Sequence, residues 1–440
     1  MLGLNIPQTT RLSRLLTKRR RKDADATDAA QEATTTGVAP ANATDAGTSG
    51  IAKTDISKTG AGARPAAGTE SASAASETND TAGAHGPTAD GAPHTPSVIS
   101  LGQVWVDIMM DIDTLPTSGG FTVAGDTTPT VGGSYRVLQA VGAMGVPAAH
   151  AGIIGSGIWA TTVRRAFDEA DIRHIGPDRL DADSGFRLVF HDGTDRKTFV
   201  ARYGAEAQGN EATFAALDPL EGDVVHISGN TLLDHTAAGI DEFVHRAGTD
   251  PKQRQYRLVI NPTKTLSLVN DHLLEDLVLA RPIWSCNRQE AQTLADRLGV
   301  FVDDSATLTV GGGFDKSMQA LCEALGEALR APLVVRAGSR GAWVREPGGQ
   351  TCHIEGFPTK AVHTRSAGGC HTGVMCAMLV KGWGLCDATR IANAAASLAI
   401  QNNVDGVPVA PSYDEAIALA DGNDASGNGN VAGQTGSPAE

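Results

Sequence analysis

The sequence predicts an α/β protein: a mostly parallel sheet with helices on both faces, a small β lid beside it, and a disordered tail in front. Three observations carry that expectation. From about residue 98 onward, short apolar runs of strand length alternate with amphipathic stretches of helical period, the pattern of parallel strands joined by crossover helices. Two strand-like runs, 186–190 and 198–202, break the rhythm by flanking His191-Asp192-Gly193-Thr194-Asp195, and Asp-Gly between such runs signals a hairpin. No Phe, Trp or Tyr occurs before Trp105, so the 5 Trp, 4 Tyr and 10 Phe all lie from there on. A stretch without aromatics, rich in Ala, Thr, Gly, Ser and Asp, buries too little apolar surface to offset chain entropy.

In chain order, Val104-Trp105-Val106-Asp107-Ile108-Met109-Met110 is an apolar run of strand length. The segment 135–144 has helical spacing after a Gly-Gly-Ser turn, and a strand around 148–154 follows. The next helix places Trp159, Val163, Ala166 and Ala170 on one face. Beyond the hairpin, strands at 224–227, 257–261, 283–286 and 332–336 alternate with helices at 236–247, 271–279, 289–298 and 316–331. Helices at 372–381 and 387–400 complete the set, and a last one begins at Ser412, with Glu415 closing a capping box. The expected organisation is a disordered tail over 1–97, one domain over 98–420 and a second disordered tail over 421–440. Within the first tail, Leu12, Leu15 and Leu16 precede the basic cluster 18–22, which reads as a solvated tail more readily than as an anionic anchor.

The chain carries 36 Lys plus Arg against 50 Asp plus Glu, a net charge of -14. Residues 1–97 are balanced, with 10 of each sign, so the whole excess falls on 98–440. An acidic folded part excludes nucleic-acid backbone binding as its main task. No run approaches the length of a membrane span, and the N-terminus lacks the apolar core of a secretory signal. The six cysteines form no C-x-x-C pair; free thiols and a cytoplasmic location are expected.

Two glycine-rich segments fail as phosphate loops. In 311–317 Asp315 stands where a P-loop needs its second Gly, and 155–160 lacks the third Gly of a dinucleotide fingerprint. Four other places carry chemistry. Asp107 could accept hydrogen bonds from ligand hydroxyls, or serve as a turn residue. Gly132-Gly133 opens a helix where a ligand could approach the backbone, or is a tight turn. Asn287 and Glu290 follow a strand directly; Glu290 could orient water around magnesium, while capping alone would explain Asn287. Ser366-Ala367-Gly368-Gly369 precedes a helix whose exposed N–H groups favour an anion such as a transferring phosphoryl group.

In this order on an alternating α/β chain, the four sites resemble the PfkB or ribokinase family of carbohydrate kinases. The segment 107–116 resembles the family's first strand with its sugar-binding Asp at Asp107, and Gly132-Gly133-Ser134-Tyr135-Arg136 resembles the glycine pair followed by Asn. Asn287 to Glu290 matches N-x-x-E, and 334–341 looks like the nucleotide-side strand with its glycine turn. The segment 363–373 is similar to D-T-x-G-A-G-D-x-[FH]-x-G, and 392–395 resembles the helix lining the adenine pocket. The resemblance implies a ribokinase-like three-layer α/β/α sandwich that uses ATP and Mg2+ on a small-molecule sugar or nucleoside. It implies substrate contacts at Asp107, Gly132, Gly133 and Arg136, and an anion hole at Ala367, Gly368 and Gly369. It further implies phosphate and magnesium contacts at Asn287 and Glu290 without a direct protein ligand to the metal. Nucleotide contacts are implied at Arg336, Gly338, Gly341 and Asn393, and a homodimer could form through the lid.

Departures fall on the chemical positions. The family's general base is replaced by Gly369, the Asp that opens the signature by His363, its first Gly by Ser366, and the sugar-pocket Asn by Arg136. A glycine cannot accept a proton; His371, His363 and Cys370 are the neighbours that could substitute. Two functions follow, an ATP-dependent sugar kinase or a catalytically impaired pseudokinase that binds sugar or nucleotide as a sensor.

Overall fold

The computed structural model describes residues 94–192, 197–302, 313–360, 366–404 and 407–427. The chain enters through β1 (Val98–Leu101), then β2 (Val106–Ile112) and β3 (Ala124–Val131), before α1 (Tyr135–Ala143) and β4 (Ala148–His150). Helix α2 (Ile158–Glu169) and β5 (Ile172–His174) precede the hairpin pair β6 (Phe186–His191) and β7 (Lys197–Arg202). The alternating part runs β8 (Val224–Ser228), α3 (Ala237–His245), β9 (Arg257–Asn261), α4 (Asp271–Leu279), β10 (Ile283–Asn287) and α5 (Arg288–Leu298). It continues with α6 (Gly313–Leu329), β11 (Leu333–Arg336), β12 (Ala342–Arg345) and β13 (Thr351–Ile354), then ends in α7 (Ala367–Val380), α8 (Leu385–Gln401) and α9 (Tyr413–Gly427).

The main sheet has nine strands in the order β13-β12-β11-β10-β9-β8-β1-β4-β5. Pairings from β5 to β11 are parallel, and β12 and β13 add an antiparallel edge. Strands β1 and β8 are buried at every residue, as in a sheet covered on both faces, so Ser100, His226 and Ser228 lie inside with their apolar neighbours. Helix α7 is buried without interruption from Cys370 to Leu379, as expected of a helix enclosed by neighbours on all sides; it packs between α1 and α8.

The second sheet has four strands in the order β3-β2-β6-β7. It contains the expected hairpin, β6 antiparallel to β7 from Phe186–Arg202 to His191–Lys197. It also contains the apolar run at 104–110, which joins β6 as a parallel neighbour and so belongs to the lid. The central sheet is entered through β1, four residues not expected as a strand from the sequence. The capping box at Ser412 is present: Glu415 Oε2 accepts from Ser412 N at 2.8 Å and Glu415 N donates back to Ser412 Oγ at 3.4 Å. Helix α9 runs past the domain end expected at 420. All six cysteines are free, and no helix among the described residues is long and apolar enough to cross a membrane. The tail 1–93, the basic cluster within it, His363 and the glycines 311–312 lie outside the described residues.

Candidate active site

Strand order reverses at β1, which pairs with β4 on one side and β8 on the other. Ligands of such sheets bind at the carboxyl ends of the strands beside this reversal. The lid stands over that point, leaving a cavity of about 350 Å³ lined by Gln103, Trp105, Arg187, Arg202, Glu206 and Asp234 among others.

Asp107 is buried on β2, and its strand register sets it beside Arg187 of β6. Arg187 Nε donates to Asp107 Oδ1 at 2.7 Å and Nη2 to Oδ2 at 3.0 Å, a bidentate pair. Trp105 Nε1 adds a donor to Oδ1 at 2.9 Å. The guanidinium is held between the rings of Trp105 and Phe199, 5.2 and 5.0 Å from their centroids, where both π faces favour the cation. The carboxylate expected to receive ligand hydroxyls is thus committed to an arginine that faces the cavity.

Glu206 closes the lid's base. Its two carboxylate oxygens accept Gly185 N at 2.7 Å and Gly204 N at 2.9 Å, joining the start of β6 to the end of β7. Burial pushes its pKa up against these two bonds. Asp234, held by Gln103 Nε2 and by Thr236 N at 2.8 Å, is also raised by burial.

The start of α1 joins the substrate side to the signature helix. A Cβ at Gly132 would stand 2.7 Å from Asp107 Oδ2, so the glycine leaves room for the carboxylate. Gly133 has φ +66°, and a side chain there would collide with the Gln103 carbonyl. Three residues on, Arg136 faces Gly369: a Cβ at Gly369 would lie 3.3 Å from that of Arg136. The two departures in the pattern therefore face each other.

At the N-terminus of α7, Gly368 lies directly under the Arg336 guanidinium, which would collide with a Cβ there. Arg336 also reaches Ser285 O at 3.3 Å and Glu290 Oε2 at 3.5 Å, while its buried Nε has no hydrogen-bond partner among the described residues. Burial lowers its pKa, with Glu290 opposing. Glu290 is itself engaged by Asn287: its carboxylate accepts Asn287 N and Nδ2, each at 2.8 Å, and Asn287 Oδ1 accepts Glu290 N at 2.8 Å. This reciprocal capping box accounts for Asn287 structurally and holds Glu290 toward the cationic end of α7.

Ser366 has φ +64° and ψ 0°, the left-handed region. A side chain in that conformation costs about 1–2 kcal/mol, and glycine escapes the cost. Ser366→Gly is expected to raise stability by about 1 kcal/mol, read as a higher urea midpoint at unchanged m; a lower midpoint would mean that the hydroxyl is held by the adjoining loop.

The neighbours that could replace the missing base are poorly placed for it. His371 is buried, and its Nε2 lies 3.1 Å from Asn393 Oδ1. Asn393 donates its Nδ2 to the carbonyls of Ile354 and Glu355, so Oδ1 must accept and Nε2 must carry the proton. Burial, helped by the Arg336 charge, lowers the His371 pKa to about 3. Cys370 is buried and its thiol is pushed up to about 12. Neither group exchanges a proton readily near neutrality.

Most sequence-derived residues form one connected site. Asp107, Gly132, Gly133, Arg136 and Gly369 meet around the start of α1, and Gly368, Arg336, Glu290 and Asn287 meet around the start of α7. Asn393 connects to α7 through His371 and to the β13 end, whose Ile354 carbonyl also closes on Gly341; Gly338 turns at φ +61° between β11 and β12. Ala367 opens α7. Sequence reasoning missed Gln103, Trp105, Arg187, Glu206 and Asp234. Nothing in the spacing marks them, because they converge from the lid and from the loops after β1 and β8.

A family model described as pfkB family carbohydrate kinase matches residues 98–410. The uncharacterized sugar kinase YegV of Escherichia coli strain K12 is 29% identical over 323 residues, covering 73% of this chain and 93% of that relative. The crystal structure of ribokinase from Cryptococcus neoformans var. grubii serotype A in complex with ADP superposes with a TM-score of 0.58 at 15% identity, over 74% of this chain and 99% of the other. Arabidopsis thaliana ribokinase complexed with ribose and ATP gives 0.57 at 18% identity, over 74% and 99%. These likenesses show a ribokinase-like α/β fold.

Proposed function

Because the chain belongs to the pfkB family of carbohydrate kinases, we propose that its domain binds a sugar or nucleoside under the lid and passes the γ-phosphoryl group of ATP to one of its hydroxyls, at a low rate. The observation that carries this reading is the cationic cradle at the start of α7. There Gly368, in the first turn of α7 between Ala367 and Gly369, lies under the Arg336 guanidinium, whose buried Nε has no acceptor among the described residues. A helix N-terminus and a guanidinium together suit a transferring phosphoryl group, so the residues present fit a nucleotide triphosphate. Arg336, Gly338, Gly341 and Asn393 would border the nucleotide. Magnesium, when bound, would offset part of the triphosphate charge. Glu290, oriented by Asn287, would hold water around that ion.

On the acceptor side Asp107 would take sugar hydroxyls, with Gly132 and Gly133 admitting the ligand close to the backbone. The Arg187 pair must loosen or share the carboxylate when this happens. The cavity joins apolar surface from Trp105, Phe186, Tyr203 and Leu233 to polar groups of Gln103, Arg187, Glu206 and Asp234, a mixture that suits a polyhydroxylated ring with one apolar face. On this reading residues 98–420 form the catalytic domain, carried on by α9 to Gly427, 1–97 precede it as a tail, and the protein works in the cytoplasm. The outer strand β7 exposes Phe199 and Val200, an edge that could pair with a second lid.

A second reading rests on Gly369: a sensor that binds sugar or nucleotide with no useful turnover. It shares the pocket and differs only in chemistry. The test follows ADP release by the full chain with Mg·ATP over a panel of sugars and nucleosides, beside calorimetric binding of each. The expected result is saturable binding of one acceptor class with slow, acceptor-dependent ADP release, and Asp107→Asn losing acceptor affinity while keeping nucleotide affinity. Binding without any release selects the sensor, and absence of both acceptor and nucleotide binding overturns the kinase reading.

A further inference from the structure

Away from the lid, helices α3 and α4 bring together two imidazoles and two carboxylates. Asp241 and His245 are one turn apart on α3, and His272 and Asp276 are one turn apart on α4. His245 Nε2 stands 3.4 Å from Asp276 Oδ1, and His272 Nδ1 stands 2.9 Å from Asp276 Oδ2. The candidate ligand atoms of Asp241, His272 and Asp276 all lie within 4.8 Å of one another. The Asp276 side chain is only 3% exposed, whereas His245 and His272 are 44% and 61% exposed. The cluster thus has a buried anionic floor and an open histidine rim. It adjoins a surface cavity of about 390 Å³ that His245 and Asp276 help to line.

The tautomer of His245 points to a ligand. Its Nδ1 lies 2.8 Å from the Asp241 backbone carbonyl, which can only accept, so Nδ1 carries the proton. In neutral imidazole the Nε2 lone pair then faces the Asp276 carboxylate at 3.4 Å. Two lone pairs at that distance call for a proton or a cation between them. A backbone carbonyl holding Nδ1–H so that Nε2 is free is also the usual arrangement behind a metal-bound histidine.

We propose that Asp241, His245, His272 and Asp276 form a binding site for a divalent transition metal, with zinc the best-suited ion. Zinc takes four N and O donors at about 2.0–2.1 Å in tetrahedral geometry, which holds neighbouring donors about 3.3 Å apart. Three of the donors, on Asp241, His272 and Asp276, already lie within 4.8 Å of one another, and His245 Nε2, 3.4 Å from Asp276 Oδ1, is the fourth. Two imidazoles favour zinc over magnesium or calcium, which prefer oxygen donors. The site is separate from the lid cavity: His245 lies eight residues, about 12 Å of helix, beyond the start of α3, and Asp234 of the lid cavity immediately precedes that helix. An ion here would clamp α3 to α4, the helices that follow β8 and β9, and would do so whether or not the domain is a kinase.

The experiment titrates the full chain with Zn2+ alone in nucleotide-free buffer, by calorimetry and by thermal melting, and repeats the titration with Co2+ to read the intense visible band of a tetrahedral complex. The expected result is one saturable site per chain, a higher melting temperature with Zn2+ and a tetrahedral cobalt band. In the double variant His245→Ala, His272→Ala affinity falls by at least the roughly 10–100-fold that loss of a ligand's supporting partner costs, and the band is lost. Both histidines are exposed enough that this variant should fold, which circular dichroism checks; Asp276→Asn, of equal size, should weaken binding in the same sense. No saturable site in the natural chain, a site that survives the double variant unchanged, or only a weak octahedral cobalt spectrum overturns the proposal, and a proton then fills the gap between His245 and Asp276.

Discussion

On the proposed kinase reading, placing a carboxylate at position 369 is expected to raise ATP-dependent phosphorylation of the accepted sugar by about 10²–10⁴-fold, the usual worth of a positioned general base. The backbone is ready for it. Gly369 sits in the first turn of α7 with no positive φ, and a Cβ there finds nothing nearer than Arg136 Cβ at 3.3 Å. The neighbour must yield by a few tenths of an ångström, which a side-chain Cβ on another helix can do at modest cost. Arg136 matters in a second way. In Gly369→Asp alone, a new carboxylate beside that guanidinium would be held ionised and paired, and a base stabilised as its anion is a weaker base. The larger gain therefore belongs to the double variant Gly369→Asp, Arg136→Asn, with the single variant in between. Initial ADP-release rates at saturating acceptor decide the matter. Turnover by the natural chain already in the ordinary kinase range of about 1–100 s⁻¹, or double-variant rates no higher than those of the natural chain, would sink this account.

Acid is expected to weaken the fold steeply between pH 6 and pH 5. Among the described residues three histidines are buried and kept neutral. His371, facing Arg336 and Asn393, is lowered to about 3, mainly by burial. His226, hydrogen-bonded to Ser100 Oγ at 3.0 Å, is lowered to about 4 by burial. His150, beside His174, is driven well below its ordinary value by burial first and the second imidazole next. In the unfolded chain each titrates near 6.5. Below that value the unfolded state binds more protons than the folded one, so stability falls with falling pH. The stabilisation is complete above pH 6.5 and is lost progressively toward the folded pKa values. Each histidine contributes a slope approaching 1.4 kcal/mol per pH unit, so the three together remove about 3–4 kcal/mol over this interval.

Glu206 and Asp234 act in the opposite direction. Burial raises their pKa values, so in the interval above their unfolded values the folded state holds the extra proton and gains stability as pH falls. Two carboxylates cannot cancel three imidazoles over one pH unit, so the net sign stands. Urea unfolding at pH 7, 6 and 5 measures it, and His226→Gln should reduce the slope by one histidine's share. A midpoint that stays level or rises from pH 6 to pH 5 would contradict the assignment of neutral buried histidines.

Much of the fold was legible in the chain. The alternation from 224 to 336 marks strands buried on both faces and helices with one wet side, and those patterns depend only on local period. The same holds for Asn287 with Glu290 and for Ser412 with Glu415, where capping chemistry is written within four residues. Short fully buried strands were harder. Four residues, Val98 to Leu101, are too few to show a period, so this strand went unread while the longer run at 104–110 was found.

The candidate site divides along the same line. Asp107, the glycine pair, Asn287, Glu290 and the segment 366–369 could be found from sequence because each lies in a compact motif. The loss of a side chain at Gly369 was equally plain. What only the tertiary structure decided is what those residues face. Asp107 meets Arg187, Gly369 meets Arg136, Gly368 meets Arg336, and Asp276 meets His245; the partners lie from 31 to more than 230 positions apart in the chain. Period and capping are properties of neighbouring residues, set by backbone geometry over one or two turns. Charge pairing, proton affinity and metal coordination depend on distance in space and on exclusion of water, and both exist only once the sheet, the lid and the helices have closed on one another.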